Sequence, residues 1–227
     1  MVAVCANRRE GIEKLQTQAE VILLDDAFQH RKVRPSFSIV LTPFDDLYTN
    51  DLVLPAGNLR ESGRGIRRAD VVVVTKCPEK VAYAQLQQIQ FEMKLQPPQR
   101  LFFSQISYDS EIHGATESLP ISYLKDKPFT LVTGIANPKP LTDFLASKNY
   151  KFKHESFPDH HDFSQAEIEK LRKNEIILTT EKDYVRLQPK LGKFAVFYLP
   201  IKTIILNEQD TVFKQLILDA VEGFPRF

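Results

Sequence analysis

The sequence predicts an α/β fold, a mostly parallel β-sheet with helices flanking its faces. Three observations carry that expectation. Short β-branched apolar runs recur along the 227 residues. Those runs lack in–out alternation, as strands covered on both faces do. Helix-like stretches separate them, which is the rhythm of strand–helix–strand units.

Taken in order, residues 21–24, 38–41, 71–75, 129–132, 176–178 and 195–199 read as strands. Residues 10–19, 80–94, 141–148, 165–174 and 211–222 read as helices. In the 80–94 stretch, Val81, Ala84, Leu86, Ile89 and Met93 fall on one side of a 3.6-residue repeat. Ser164 followed by Glu167 is a capping box, because a hydroxyl and a carboxylate three residues on can satisfy orphan amides. Pro97-Pro98, Pro120 and Pro128 bound a less regular stretch. The expected organisation is therefore a core part over 1–95, an irregular connection over 96–127 and a second α/β part over 128–227.

Composition narrows the function. The 30 Lys+Arg balance 29 Asp+Glu, for a formal charge of +1, so nothing electrostatic favours nucleic acid as partner. A phosphate or membrane site must be a local basic patch, and Arg64, Arg67 and Arg68 are too few to define one. Cys5 and Cys77 are far apart, which predicts neither a zinc site nor a disulfide framework, and fits a reducing compartment. Both are expected to be small buried apolar residues. The longest apolar runs, such as Val71 to Val74, fall far short of the ~20 residues of a membrane helix. The opening MVAVCANRREG has no secretory core, so a cytoplasmic chain is expected, with contact to a membrane surface left open.

The sharpest signal is VILLDDAFQHR. Four apolar residues lead into Asp25 and Asp26, which the pattern places at the carboxyl end of a buried strand. Acids there can hold Mg²⁺ beside a triphosphate; the plainer reading is a turn. Later, Asp159, His160 and His161 could relay a proton or orient a phosphate, or could be a solvated helix-entry loop. Arg60-Glu61 could grip an anion or form a surface ion pair. Thr180 could contact an anion at a helix start or merely cap it.

LLDDAFQHR resembles the signature of the tetraacyldisaccharide 4′-kinases, the lipid A 4′-kinases of Gram-negative bacteria. LPAGNLRE at 54–61, RAD at 68–70 before VVVVTKCP, TGIANP at 133–138, FPDHH at 157–161 and TTEKD at 179–183 resemble further segments of that family, in order. The resemblance implies a P-loop nucleotide hydrolase-like fold and ATP-dependent phosphorylation of the 4′-hydroxyl of a lipid A disaccharide precursor. It implies work at the cytoplasmic face of the inner membrane, as a peripheral protein. It makes Asp25 and Asp26 the Mg²⁺-associated acids, and lines the same cleft with Gln29, His30, Arg60, Glu61 and Thr180 as nucleotide- or substrate-binding residues. His160 would be the functional imidazole with Asp159 as its orienting neighbour, and His161 the other candidate. Acids and imidazole are expected to share one cleft.

One part of the family pattern is not found in these residues. The eight glycines include no GxxxxGK[ST] arrangement, so no loop here cradles ATP phosphates. In the family that loop lies upstream of the segment matched at residue 1. The chain is thus expected to lack the amino-terminal part, as a fragment or as a shortened, inactive homologue, with bare apolar surface as a consequence. The alternatives are a lipid-precursor binding module and, from the Asp-His-His run, a metal-dependent phosphoesterase.

Overall fold

In the computed structural model, residues 1–192 and 194–223 are described. The elements in chain order are α1 (Arg8–Leu15), β1 (Ile39–Pro43), β2 (Val71–Thr75), α2 (Tyr83–Met93), β3 (Arg100–Tyr108), β4 (Glu111–His113), β5 (Ser118–Pro120), β6 (Phe129–Thr133), α3 (Lys139–Ser147), β7 (Phe152–Ser156), α4 (Gln165–Leu171), β8 (Ile177–Thr179), α5 (Glu181–Leu191), β9 (Val196–Tyr198), β10 (Ile201–Ile205) and α6 (Asp210–Glu222). The chain divides into two compact units. One comprises Met1–Ile106 together with the chain from Thr203 onward; the other is Ser107–Lys202. The division falls within β3, so the 96–127 stretch holds three strands where irregular chain was expected. The carboxy-terminal helix belongs with the first unit, and the last four residues of the expected 128–227 part lie outside the described residues.

In the first unit the sheet order is β1-β2-β3-β10, with β1, β2 and β3 parallel. Four consecutive valines, Val71 to Val74, are buried in β2, as a strand with neighbours on both edges and cover on both faces requires. Leu86, Ile89 and Met93 of α2 cover one face together with Val72, Val74 and Phe103. Phe213 and Leu216 of α6 cover the other, over Val71, Val73 and Phe102.

Residues 21–24 depart from expectation. They form no strand, and Leu23 is 91% exposed. A β-branched run makes a strand only where a neighbour accepts its hydrogen bonds, and no described strand pairs with this one. Asp25 and Asp26 consequently occupy a turn, with Asp26 at φ 45°. Cys5 is exposed, against the expectation, while Cys77 is buried.

The second unit is built on the order β5-β4-β9-β8-β6-β7. β6 is parallel to β7 and β8, and β8 to β9, with antiparallel β4 and β5 closing one side. Every residue of β6 and β8 is buried. Ile112, Leu124, Leu131, Leu145 and Leu178 form one core cluster, and Val132, Ile168, Leu171, Ile177 and Leu187 another. Because β7, β6 and β8 are adjacent and parallel, their carboxyl ends open onto one edge. The segments after those ends are FPDHH, TGIANP and TTEKD. Strand order thus assembles what the sequence scatters over fifty residues, at the end of an α/β sheet where ligands bind.

Candidate active site

In the first unit, the loop carrying Asp25 to Arg31 is fastened to the segment carrying Arg60 to Arg68. Arg60 Nη1 donates to Asp26 Oδ2 at 2.8 Å. Glu61 accepts from Arg31 Nη2 at 3.1 Å and from Arg68 Nη2 at 2.6 Å. The Arg68 hydrogen bond, with that of Arg31, holds the Glu61 carboxyl below its usual range despite opposition from burial. Arg68 also donates to Phe28 O and lies over the Phe28 ring, 4.6 Å from its centroid. Arg8 reaches the backbone carbonyls of Asp25 and Asp26 at 3.4 and 3.2 Å. Arg60 and Glu61 are therefore linkers of this loop in the structure. Asp25 and Gln29 stay exposed, and His30 is part-buried, with its Nε2 lacking a hydrogen-bond partner.

The segment before Arg60 is shaped by Asp51, which lies in no recognisable motif. Its carboxylate accepts from the amides of Leu52 at 2.7 Å and Asn58 at 3.1 Å. A Cβ on Gly57 would lie 2.2 Å from Asp51 Oδ1. Only glycine fits there, which is what the AG of LPAGNLRE encodes.

In the second unit, Asp183 is the hub. Its side chain is fully buried, and its Oδ2 accepts from the Gly134 amide at 2.8 Å and from Thr180 Oγ1 at 2.7 Å. Thr180 caps α5 by accepting from the Asp183 amide. Its hydroxyl proton is thus committed to Asp183. A Cβ on Gly134 would meet the buried Asp183 Oδ1 at 3.0 Å and Pro158 O at 3.4 Å, so a larger residue fits only if that packed neighbour shifts. The TGIANP and TTEKD segments are one tied structure. The FPDHH loop joins it through Phe157 N, which donates to Thr133 O at 2.7 Å, and His160 N, which donates to Gly134 O at 3.3 Å.

The two histidines separate here. His161 Nε2 faces Glu167 Oε2 at 3.0 Å, and its ring stacks on Phe157 and meets Phe163 edge-on. Glu167 is held at about 2, first by the Ser164 amide it accepts from in the capping box and then by His161. That pair anchors the loop to α4. His160 has left-handed backbone, φ 59°, and its side chain is 71% exposed against 23% for His161. Lys182 Nζ lies 3.2 Å from its Nε2 and Arg186 Nη2 lies 2.9 Å from its Nδ1. Asp159 does not orient the His160 ring by a direct hydrogen bond. Its Oδ1 accepts from Lys182 at 2.8 Å while Oδ2 stands 3.8 Å from His160 Nε2. Lys182 holds the Asp159 carboxyl below its usual range. Lys182 and Arg186 are one helical turn apart on α5 and so share a face. That spacing was the one available signal for Arg186.

A sequence profile of the family described as tetraacyldisaccharide-1-P 4′-kinase (LpxK) matches residues 1–222. The chain belongs to this family. A tetraacyldisaccharide 4′-kinase of Flavobacterium johnsoniae is 46% identical over 214 residues, covering 92% of this chain and 62% of the relative. That of Bacteroides thetaiotaomicron is 39% identical over 247 residues, covering 97% and 65%. The crystal structure of LpxK from Aquifex aeolicus in complex with ATP matches with a TM-score of 0.66 and 28% identity, over 94% of this chain and 62% of that one. The fold is accordingly α/β and P-loop kinase-like, with mostly parallel sheets and flanking helices. The chain spans under two thirds of the length of these relatives.

Proposed function

We propose that this chain carries most of the machinery of an ATP- and Mg²⁺-dependent kinase acting on the 4′-hydroxyl of the tetraacyldisaccharide 1-phosphate precursor of lipid A. Support comes above all from the convergence of TGIANP, FPDHH and TTEKD at the carboxyl ends of three adjacent parallel strands, with His160 at the surface of that cluster. Among the described residues no helix is long and apolar enough to cross a membrane. The reading places the protein at the cytoplasmic face of the inner membrane, meeting its lipid acceptor as a peripheral protein.

The residues take roles that follow from their chemistry. His160 takes the acceptor hydroxyl's proton at the ring nitrogen whose lone pair is freed when the cation donating to it turns to a phosphate oxygen. A neutral imidazole has one lone-pair nitrogen, so it accepts from only one of Lys182 and Arg186. The other cation keeps a donor for an oxygen on which negative charge develops. Asp159 fixes the Lys182 ammonium, and Asp183 fixes the loop on which His160 rides. His161 holds the loop's far end.

On the first unit, Asp25 and Asp26 are the acids this reading assigns to Mg²⁺. Among the described residues no group of three or more His, Cys, Asp or Glu gathers as a metal cage. Mg²⁺ needs only one or two protein carboxylates, with water and phosphate oxygens completing its shell. Asp25 is free for this, and Asp26 keeps one oxygen beyond its Arg60 bond, so the pair fits. Bound there, Mg²⁺ would neutralise charge on the phosphoryl group in transfer. Gln29 and His30 line the same loop. The eight glycines include no GxxxxGK[ST] arrangement, and on this reading the phosphates of ATP are held by residues other than such a loop of this chain.

The test is a chimera in which this chain replaces the 214 matched residues of the F. johnsoniae relative. It should phosphorylate the disaccharide acceptor with ATP and Mg²⁺. His160→Ala should lower kcat by about 10²-fold or more, the scale of acid–base catalysis, with His161→Ala acting mainly on stability. An active chimera indifferent to His160→Ala would refute the assignment.

A further inference from the structure

Lys182, Arg186 and Lys190 stand at successive turns of α5, and each meets the loop that carries His160. Two of them end on carboxylates. Lys182 Nζ donates to Asp159 Oδ1 at 2.8 Å and Lys190 Nζ to Asp162 Oδ1 at 2.6 Å. Arg186 differs. Its Nη2 donates to His160 Nδ1 at 2.9 Å. Its Nη1 is buried without a hydrogen-bond partner, 3.7 Å from Asp183 Oδ1, which is likewise buried and without one. The guanidinium is drawn toward a fully buried carboxylate and donates to a ring nitrogen, a weaker acceptor than the oxygen anions its planar fork matches.

That contact fixes the ring's proton. Arginine cannot accept a hydrogen bond, so Nδ1 must present its lone pair and the neutral ring carries its hydrogen on Nε2. Lys182 Nζ, 3.2 Å from Nε2, then faces a donor and keeps its bond to Asp159. Asp159 Oδ2, 3.8 Å from Nε2, is the negative charge on that side of the ring. The ring is therefore a base with a carboxylate behind Nε2 and its one lone pair at Nδ1. Arg186 covers that lone pair.

We infer that Arg186 is a catalytic residue of the proposed transfer: its guanidinium leaves His160 Nδ1 for an oxygen of the transferring phosphoryl group, and its departure opens Nδ1 to the acceptor hydroxyl. This rests on the proposed role of His160, and it settles which of the two cations moves. The acceptor's proton passes to Nδ1 as its oxygen bonds to phosphorus. The bond from phosphorus to ADP breaks, and its electron pair leaves on ADP. Positive charge reaches the phosphoryl oxygens as the base is uncovered, so one side chain couples the two events. Lys182 keeps its bond to Asp159, whose carboxylate faces the imidazolium that forms.

The test places Arg186→Gln and Arg186→Lys in the chimera with the F. johnsoniae relative. Arg186→Gln should lower kcat by about 10²-fold or more, the scale of a lost oxyanion donor, and change KM for ATP by less than about threefold. Removing a cation from beside the ring also favours the protonated imidazole, so the acid limb of the kcat profile should move to higher pH. The other charged groups around the pair, Asp159 and Asp162 of the loop and Lys182 and Asp183 of α5, are common to both proteins. Arg186→Lys keeps the charge and a donor, and should recover at least about tenfold of the loss and return the acid limb. Nitrogen NMR of the imidazole in the full 227-residue chain should show the His160 hydrogen on Nε2. Three outcomes would overturn the inference and leave His160 in its role. One is a ring hydrogen on Nδ1. Another is an Arg186→Gln chimera with kcat within about threefold of wild type while His160→Ala loses its activity. The third is a loss in Arg186→Gln with an unmoved acid limb and no recovery by lysine, which is a structural effect. A His160→Ala chimera as active as wild type would overturn both.

Discussion

The second unit and the first forty residues are made of similar material and end in opposite states. In the second unit, Phe129 to Thr133 and Ile177 to Thr179 are buried throughout, and its edge strands are short or charged. In the leading segment, an equally apolar run at 21–24 lies outside any sheet, and α1 buries nothing. The difference lies in neighbours. β6 has β7 and β8 to satisfy its backbone on both edges, whereas residues 21–24 have no strand beside them. Hydrophobicity selects which residues seek burial; hydrogen-bonding partners decide whether they find it.

That comparison can be broken by substitution. Leu131→Ala or Leu178→Ala in the second core should cost about 2–5 kcal/mol in denaturant unfolding, while Leu23→Ala stays within roughly 0.5 kcal/mol. A comparable loss at Leu23 would mean that the leading segment is packed after all. Asp183→Ala removes two hydrogen bonds to a buried carboxylate and strands the Gly134 amide, for an expected cost of roughly 1.5–3 kcal/mol. Thermal melting of the full chain would read it. Arg60→Ala breaks an exposed pair and should cost about 1 kcal/mol or less. Its larger effect should be faster proteolysis between residues 25 and 31, where the pair fastens the loop.

The smallest effect is a pH dependence. Folding lowers the Glu167 carboxyl from its ordinary 4.5 to about 2. Its contribution is present in full above 4.5 and is lost as pH falls from there through about 2. Glu167→Gln should flatten the stability profile in that acid window and leave the slope near neutrality unchanged. An unaltered acid limb would show that the capping box with Ser164 and His161 is not held in solution.

The strands most legible in the sequence were the apolar runs, most of them fully buried, although 38–41 reads as a strand and forms the largely exposed β1. Residues 71–75, 129–132, 176–178 and 195–199 read as strands and lie in β2, β6, β8 and β9, give or take a residue. β3 was hidden because Pro97-Pro98 suggested an interruption and Arg100, Ser104 and Gln105 break its apolar pattern. β7 was hidden because an edge strand can be polar, as Lys153, His154 and Glu155 show. α5 was hidden by Pro189, which falls in the final turns of the helix. In the site, the motifs named His160, His161 and Thr180, but their division of labour depends on side-chain partners. Glu167 takes His161, and Arg186, outside any motif, flanks His160.

The most direct measurement is phosphoryl transfer from ATP to the tetraacyldisaccharide acceptor by the chimera with the F. johnsoniae relative, comparing wild type with His160→Ala. Transfer should drop by about 10²-fold or more without the imidazole. A His160→Ala chimera as active as wild type would contradict the account.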